Sequence, residues 1–419
     1  MRRREVLEQP AFGRRLRHLR LLRGMSQAQL AGGEVSPSYI SLVESGRRTP
    51  GDQIAQVIAE RLGIPITEFD PAAPTDQGQR SHLVGLLLAA RGARREGDSR
   101  FAAEQLRIVA DGADALGEED VAWEARWELA ETHGDLSAYA DKASVLTELL
   151  DRPLTAGSAR LRSRLITALA DLALCRGHLS EAVRLAEEAM AAADTLERGT
   201  PERVRARLIL VATYTDRGDL DRASTALTEL LDGYEDLPNQ QLRGLASWVA
   251  ADLYAAQERH PEALVMYDRA AEVLSPRVDL RLSARLSLAT AAAVLTAGSD
   301  LGRVHDLLRR VRQAFELIGT EADLVRLVAV EAGAFLAGGD VPGALARVAE
   351  IADAPDLPPH ELASCLMAAG LVQQVVGGHQ GAEKSYRRAA ELFDDVGAFR
   401  KSAAAWRTLA DLLSARATA

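Results

Sequence analysis

The chain has 419 residues, too many for one ordinary core, so several folding units or a repeat array are expected. Hydrophobic residues make up 47% of it but aromatic residues only 4%, so Ala, Leu and Val carry the burial and closely stacked helices are favoured over a strand sandwich. The net charge of −10 is uneven: residues 1–70 hold 11 Arg and 8 acids, whereas the remainder holds 39 basic and 52 acidic residues. A basic head on an acidic body points either to a polyanion-binding head or to a merely solvated surface.

Cys175 and Cys365 lie far apart and outside any C-x-x-C spacing, which argues against a disulfide framework or a zinc cluster. The start, MRRREVLEQPAF, lacks the apolar run of a signal peptide, and no later segment approaches a membrane span. A soluble, cytoplasmic protein without a membrane partner is expected.

In chain order, Ala11 to Arg23 reads as a helix with Phe12, Leu16 and Leu19 on one face and Gly24 ending it. Ser26 opens a short second helix, and the S-x-x-Q spacing of Ser26 and Gln29 predicts a capping box. Gly32-Gly33 ends that helix. Ser36 as N-cap and Pro37 at the first helical position start a third, with Ile40 and Val43 inward. Gly46 stops it before the basic loop Arg47-Arg48-Thr49-Pro50. A fourth helix over 52–62 ends at Gly63, and Ile64, Ile66 and Phe69 close the small core.

Two short helices joined by a tight turn have the outline of a helix-turn-helix. The stretch LRLLRGMSQAQLAGGEVSPSYISLVESGRRTP resembles the Cro/cI-type (xenobiotic-response-element) domains over about 60 residues. The resemblance implies a five-helix, lambda-repressor-like domain that binds double-stranded operator DNA. It implies that Gln27 clamps a phosphate, that Ser36, Ser38, Tyr39 and Ser41 contact bases or backbone, and that Arg47 and Arg48 touch flanking phosphates. It also implies a structural ion pair between Arg20 and Glu44. The alternatives at these positions are packing of Tyr39 across its helix and plain solvation of Arg47 and Arg48. The turn after Leu30-Ala31 is a residue shorter than the commoner repressor turn, which bears on the tilt of the third helix. No Arg, Lys, Asn or Gln lies on that helix's outward face, so reading leans on hydroxyl and thymine-methyl contacts, water and DNA shape.

Residues 71–80 are Pro-rich and polar and read as a linker. Over 81–419 one pattern recurs: a helix, a G-D-like turn, then a helix with a small residue near its start. The turns begin at Gly97, Gly134, Gly177, Gly218, Glu258, Ser299, Gly339 and Gly377. Five residues on stand Ala102, Tyr139, Ala182, Ala223, Ala263, Val304, Ala344 and Ala382. A period near 40 residues predicts about eight helical pairs and a C-terminal capping helix, in an all-α protein. The arrangement is similar to the tetratricopeptide repeat, clearest in GHLSEAVRLAEEAM and RGDLDRASTALTELL. It implies a right-handed α-solenoid; armadillo or HEAT repeats share the period but lack this turn.

No P-loop, H-E-x-x-H, C-x-x-C, G-x-S-x-G or dinucleotide-binding motif occurs, so neither an enzyme nor a cofactor is expected. A helix-turn-helix followed by such an array resembles the Rap- and PlcR-type peptide-sensing regulators of quorum sensing. That resemblance implies a homodimer on an inverted repeat and a small-molecule or peptide ligand in the concave groove. Those sensors hold the peptide with Asn side chains, yet Asn239 is the one Asn in this sequence. Phasing the repeats places Glu128, Arg164, Asp171, Arg205, Trp248, Asp252, Arg326 and Gln374 on the groove, with Arg164 and Arg205 side by side. A paired guanidinium there would favour a carboxylate; long charged side chains solvating a concave wall are the alternative. Three classes stay open: a ligand-responsive regulator, a DNA-binding protein whose array is a protein-interaction scaffold, and an antitoxin- or phage-type repressor tethered to a protein partner.

Overall fold

The computed structural model describes residues 9–69, 76–233, 237, 239–277, 279–352 and 357–418, and among these every regular element is helical. The chain divides into two compact units, Met1–Ala125 and Arg126–Ala419.

The first unit begins with α1 (Ala11–Leu22), α2 (Gln27–Ala31), α3 (Pro37–Glu44), α4 (Asp52–Leu62) and a closing 3-10 turn over Ile66–Phe69. Local chemistry sets these boundaries. The Ser26 hydroxyl accepts from Gln29 N while the Gln29 side chain accepts from Ser26 N, so both halves of the capping box are made. Ser36 accepts from Tyr39 N at 3.1 Å and Pro37 follows at the first helical position. The turn between them holds Gly32 and Gly33 at φ 53° and 89°, and the Arg61 guanidinium caps the end of α2 by donating to Leu30 O and Ala31 O. Phe12, Leu16, Leu30, Ile40, Ile58 and Phe69 form the core, and the Phe12 and Phe69 rings meet at 4.7 Å. The backbones of α1 and α3 nearly touch at Gly13, where a Cβ would lie 2.2 Å from Val43 O.

The unit continues with α5 (Asp76–Arg95), α6 (Ser99–Leu116) and the start of α7 (Glu119–Asp135). Of the segment expected as a linker, residues 71–75 lie outside the described residues and the rest is helical. Arg80 explains the second part: its guanidinium bridges Glu118 at 2.6 Å and Asp120 at 3.0 Å, tying the first turn of α5 to the α6–α7 corner.

The second unit takes up the end of α7, then α8 (Tyr139–Leu150), α9 (Pro153–Ala156), α10 (Ala159–Cys175), α11 (Leu179–Ala193), α12 (Pro201–Arg217) and α13 (Leu220–Leu231). It goes on through α14 (Gln240–Ala256), α15 (His260–Val273), α16 (Leu280–Thr296) and α17 (Leu301–Ile318). It ends with α18 (Glu321–Ala337), α19 (Val341–Ala352), α20 (Pro359–Val375), α21 (His379–Asp395) and α22 (Phe399–Thr418). Antiparallel pairs stack side by side, with first helix on first helix at α10–α12, α12–α14, α16–α18 and α18–α20, as in tetratricopeptide-like arrays.

Each pair turns through a residue in the left-handed region: Gly97, Ser137, Gly177, Gly218, Glu258, Gly298, Gly339 and Gly377. Their spacings of 40, 40, 41, 40, 40, 41 and 38 are more regular than the sequence reading, which set two turns elsewhere. Gly134 is not a turn residue; it lies in the last turn of α7, and the turn comes at Ser137. Gly134 instead admits the next helix, because a Cβ there would lie 3.1 Å from Lys142 Nζ. Tyr139 is accordingly not the small crossing residue. The other shifted turn is Gly298, not Ser299; one extra residue before the Asp300 N-cap keeps Val304 buried where the other pairs place Ala.

Within the second unit the array closes on itself. Leu179 packs with Ala363 of α20, Phe393 of α21 and Ala398 and Ala405 around the start of α22. Gly177 faces the His360 ring, Gly218 faces the Arg400 side chain, and Lys401 Nζ donates to Asp216 Oδ1 at 3.0 Å. The final helix thus packs on α21 and also reaches α12; it does more than cap the end of an open stack. Among the described residues no helix is long and apolar enough to cross a membrane.

Candidate functional site

Two regions of the molecule gather polar side chains that the core does not consume. The first is the surface of α2 and α3. Glu44, at the end of α3, is buried and accepts from Arg20 Nε at 2.6 Å and Arg20 Nη2 at 3.1 Å. Arg20 also donates to Met25 O at 2.6 Å, so one guanidinium locks α1, the entry to α2 and α3 together. Gln27 joins this network by donating to Glu44 Oε2 at 2.8 Å. Ser38 and Ser41 point outward from α3, and Arg47 and Arg48 are exposed on the following loop. The Arg48 guanidinium lies 4.9 Å over the Tyr39 ring, which orients both at the end of this surface.

The second region is the inner wall of the second unit, which holds two cavities. A cavity of about 740 Å³ is lined by Trp127, Glu131, Arg164, Asp171, Arg205 and apolar side chains of α12 and α14. Arg164 stacks at 4.4 Å over Trp127. Neither Arg164 nor Arg205 forms an ion pair among the described residues, and burial together with the charge of Arg164 lowers the pKa of Arg205. Asp171 lies deep in the same wall, where burial raises its carboxyl above the usual range.

A larger cavity of about 930 Å³ runs along α14, α16, α18 and α20. Its bases are neutralised in place. Arg285 bonds Asp323 at 2.8 and 3.2 Å, Arg326 bonds Glu361 at 2.6 and 2.7 Å, and Lys401 bonds Asp216. Asp252 has no cation: its carboxylate accepts from the Tyr267 hydroxyl at 2.6 Å, and burial pushes its pKa up to about 7. Trp248 stands one turn before it on the same face of α14, with its buried indole N–H beside the Asp252 carboxylate. No cluster of three His, Cys, Asp or Glu side chains suited to a metal ion occurs among the described residues.

Residues 16–69 match the family model described as helix-turn-helix. The amino-terminal segment is an XRE-type helix-turn-helix domain. Most of the chain is similar in fold to a Rap protein complexed with competence and sporulation factor, at 10% identity. That match covers 92% of this chain and 98% of the other, with a TM-score of 0.57. Further matches are Bacillus thuringiensis PlcR in complex with the peptide PapR7 and DNA (16% identity, 76% and 98% covered, TM-score 0.33) and the apo competence regulator ComR from Streptococcus vestibularis (14%, 68% and 98%, 0.29). No curated protein matches the sequence.

In the helix-turn-helix domain, Ser38, Tyr39, Ser41, Arg47 and Arg48 share the α3 end of the surface, whereas the Ser36 hydroxyl is engaged as the N-cap. In the array, Arg164, Asp171 and Arg205 line the smaller cavity, and Trp248, Asp252 and Arg326 line the larger. Gln374 lines neither, because its side chain accepts from the Tyr386 hydroxyl at 2.9 Å within the α20–α21 pair. Glu128 is replaced on the wall by Glu131, one turn later. The corrected turns explain this. Glu131, Asp171 and Asp252 each lie six residues before a left-handed turn residue, and Arg164, Arg205, Arg285 and Arg326 each lie thirteen before. Glu128 and the overlooked Arg285 belong to the two pairs whose turns the sequence reading misplaced. Lys401 and Asp216 meet across 185 residues, beyond the reach of any local pattern.

Proposed function

We propose that the protein is a sequence-specific, DNA-binding transcription regulator whose repeat array senses a small ligand that changes operator affinity. The single observation that carries the reading is the helix-turn-helix surface: α3, with outward Ser38 and Ser41, ends beside the exposed Arg47 and Arg48. Arginines of this kind set register on the phosphates, while α3 in the major groove reads base edges and shape. Gln27 at the start of α2, already held by Glu44, faces the same phosphate track in this reading.

Ligand sensing is supported by the two cavities. Arg164 and Arg205, which form no ion pair among the described residues, suit a carboxylate or other anion through parallel charge-assisted hydrogen bonds. Operation as a homodimer on an inverted repeat follows from affinity: one short helix without bidentate readers gains most from a second head about one helical turn away. The array carries an apolar stripe that suits a second copy. On α22 the exposed Phe399, Ala403, Trp406, Ala410 and Leu413 repeat with the alternating four and three spacing of a coiled-coil seam.

The test is footprinting of the full chain on genomic fragments of its own source. Protection of a defined site with two half-sites is expected; uniform, sequence-independent protection would overturn the reading.

A further inference from the structure

We propose that the larger cavity of the array binds an ammonium group attached to an apolar body, with Asp252 and Trp248 holding the ammonium. The argument begins with a balance of charge. Besides His360, which burial keeps toward its neutral form, three bases face this cavity, and each has its own acid: Arg285 with Asp323, Arg326 with Glu361 and Lys401 with Asp216. Asp252 is the carboxylate left over. It accepts from the Tyr267 hydroxyl, has the Trp248 indole N–H beside it, and forms no ion pair among the described residues. An ionised carboxylate offers about four acceptor sites, so capacity remains toward the cavity.

The surroundings of Asp252 define what fills that capacity. Trp248 sits four residues earlier on the same face of α14, and its ring gives a cation a π-face beside the carboxylate. Beyond this corner the wall is apolar: Leu288 and Ala292 of α16, Ala329 and Gly333 of α18, Ala368 and Leu371 of α20. A cavity of about 930 Å³ exceeds what an ammonium alone fills. The fitting ligand is therefore an amphipathic amine, its head at Asp252 and its chain along α16, α18 and α20. An anion is disfavoured at the same place, because the Asp252 carboxylate would repel it and Arg285, Arg326 and Lys401 are already paired.

The smaller cavity holds Arg164 and Arg205, which form no ion pair among the described residues, together with Glu131, Asp171 and Glu202. Leu245 and Val249 of α14 line the smaller cavity, while Trp248 and Asp252 of that helix line the larger. One helix thus borders both cavities, with Trp248 and Asp252 on the side of the larger. The inference deepens the reading of the array as a ligand sensor, but binding is measured apart from DNA, so its failure leaves the operator assay untouched.

The experiment is calorimetric titration of the full chain at pH 8 with n-octylammonium, octanoate and octanol. Octylammonium is expected to bind at least tenfold more tightly than either control. Asp252→Asn should reduce it to the level of octanol, and Trp248→Leu should weaken it several-fold. Asn still accepts from Tyr267, and a melting curve checks the fold of each variant. If Asp252→Asn fails to fold, Trp248→Leu and the comparison with octanoate carry the test. To tell a free amine from a peptide terminus, an apolar pentapeptide with a free amino terminus and its N-acetylated form are run as competitors. Competition by the free form alone supports an ammonium of peptide origin, and competition by neither supports a free amine. Equal competition by both forms, octanoate binding as tightly as octylammonium, or an unchanged affinity in Asp252→Asn would overturn the proposal.

Discussion

Asp252 illustrates how much a single side chain depends on what faces it. The groups around its carboxylate are the Tyr267 hydroxyl of α15, the Trp248 indole, Asp216 of α12 and Lys401 of α22, with the paired Arg285, Arg326, Glu361 and His360 further along the wall. Burial dominates and raises the pKa to about 7, above the ordinary carboxylate value. The folded state therefore holds a proton that the unfolded chain releases near pH 4, so this residue's contribution to stability is lost as pH rises from about 4 to about 7. An ammonium needs the ionised form. Affinity for octylammonium should then fall about tenfold for each pH unit below 7 and level off above it, measured by calorimetry from pH 5.5 to 8.5. A flat profile would mean that Asp252 does not hold the cation.

A second residue-scale prediction concerns the turns. Glu258 occupies the left-handed region at φ 63°, where a Cβ is unfavourable by roughly 1–2 kcal/mol. Its counterparts at most other turns are glycine. Glu258→Gly should stabilise the protein, by about 1 kcal/mol once the greater freedom of glycine in the unfolded chain is subtracted. Thermal denaturation reads this directly, and an unchanged or lowered midpoint would contradict it. The sequence showed the repeat and the turn at Glu258 but set the turn at Ser137 three residues early, at Gly134, since serine does not announce positive φ. That is why Glu128 stood in for Glu131 on the inner wall.

At the scale of elements, the helix-turn-helix was the most legible part of the chain. Its boundaries are written in local chemistry: the Ser26–Gln29 box, the Ser36 cap, Pro37, and glycines at the stops. Such signals act within four residues and need no tertiary context. Replacing Arg47 and Arg48 together by Ala should weaken binding to all duplexes alike and lower the salt slope by roughly one unit per lost phosphate contact. Ser38→Ala should instead change which sites are preferred. Fluorescence anisotropy with the footprinted duplex and a scrambled one distinguishes the two outcomes.

The closure of α22 onto α12 was not legible, because it joins residues 185 apart in sequence through contacts that no periodicity marks. Gly218 and Gly339 test it as a pair. Both have positive φ, but a Cβ on Gly218 would lie 2.6 Å from Arg400 Cβ, whereas nothing lies within 4 Å of a Cβ on Gly339. Gly339→Ala should cost about 1 kcal/mol from backbone strain alone. Gly218→Ala should cost more, because it also pushes α22 away. Equal losses in the two variants would place Arg400 elsewhere.

For the whole molecule, the account joins a reading head to a sensing array, and the two must be coupled for regulation. A ligand changes operator affinity only if it binds one arrangement of the protein better than another. Couplings of about 1–3 kcal/mol, usual for allosteric proteins, correspond to roughly five- to 150-fold in affinity. Composition and period made the all-α array visible from the sequence; the polarity of each cavity was not, because pairing decides which charges are free. Arg326 looked like an anion site and is neutralised by Glu361, while Arg164 and Arg205 form no ion pair among the described residues. The measurement that tests the central claim most directly is an anisotropy titration of the footprinted operator with the full chain. It is run with and without the low-molecular-weight fraction of the source cell's extract, for the parent and for Arg164→Ala with Arg205→Ala. The account predicts tight, specific binding by both proteins and a shift of at least fivefold by the extract in the parent alone; an equal shift in both proteins would contradict it.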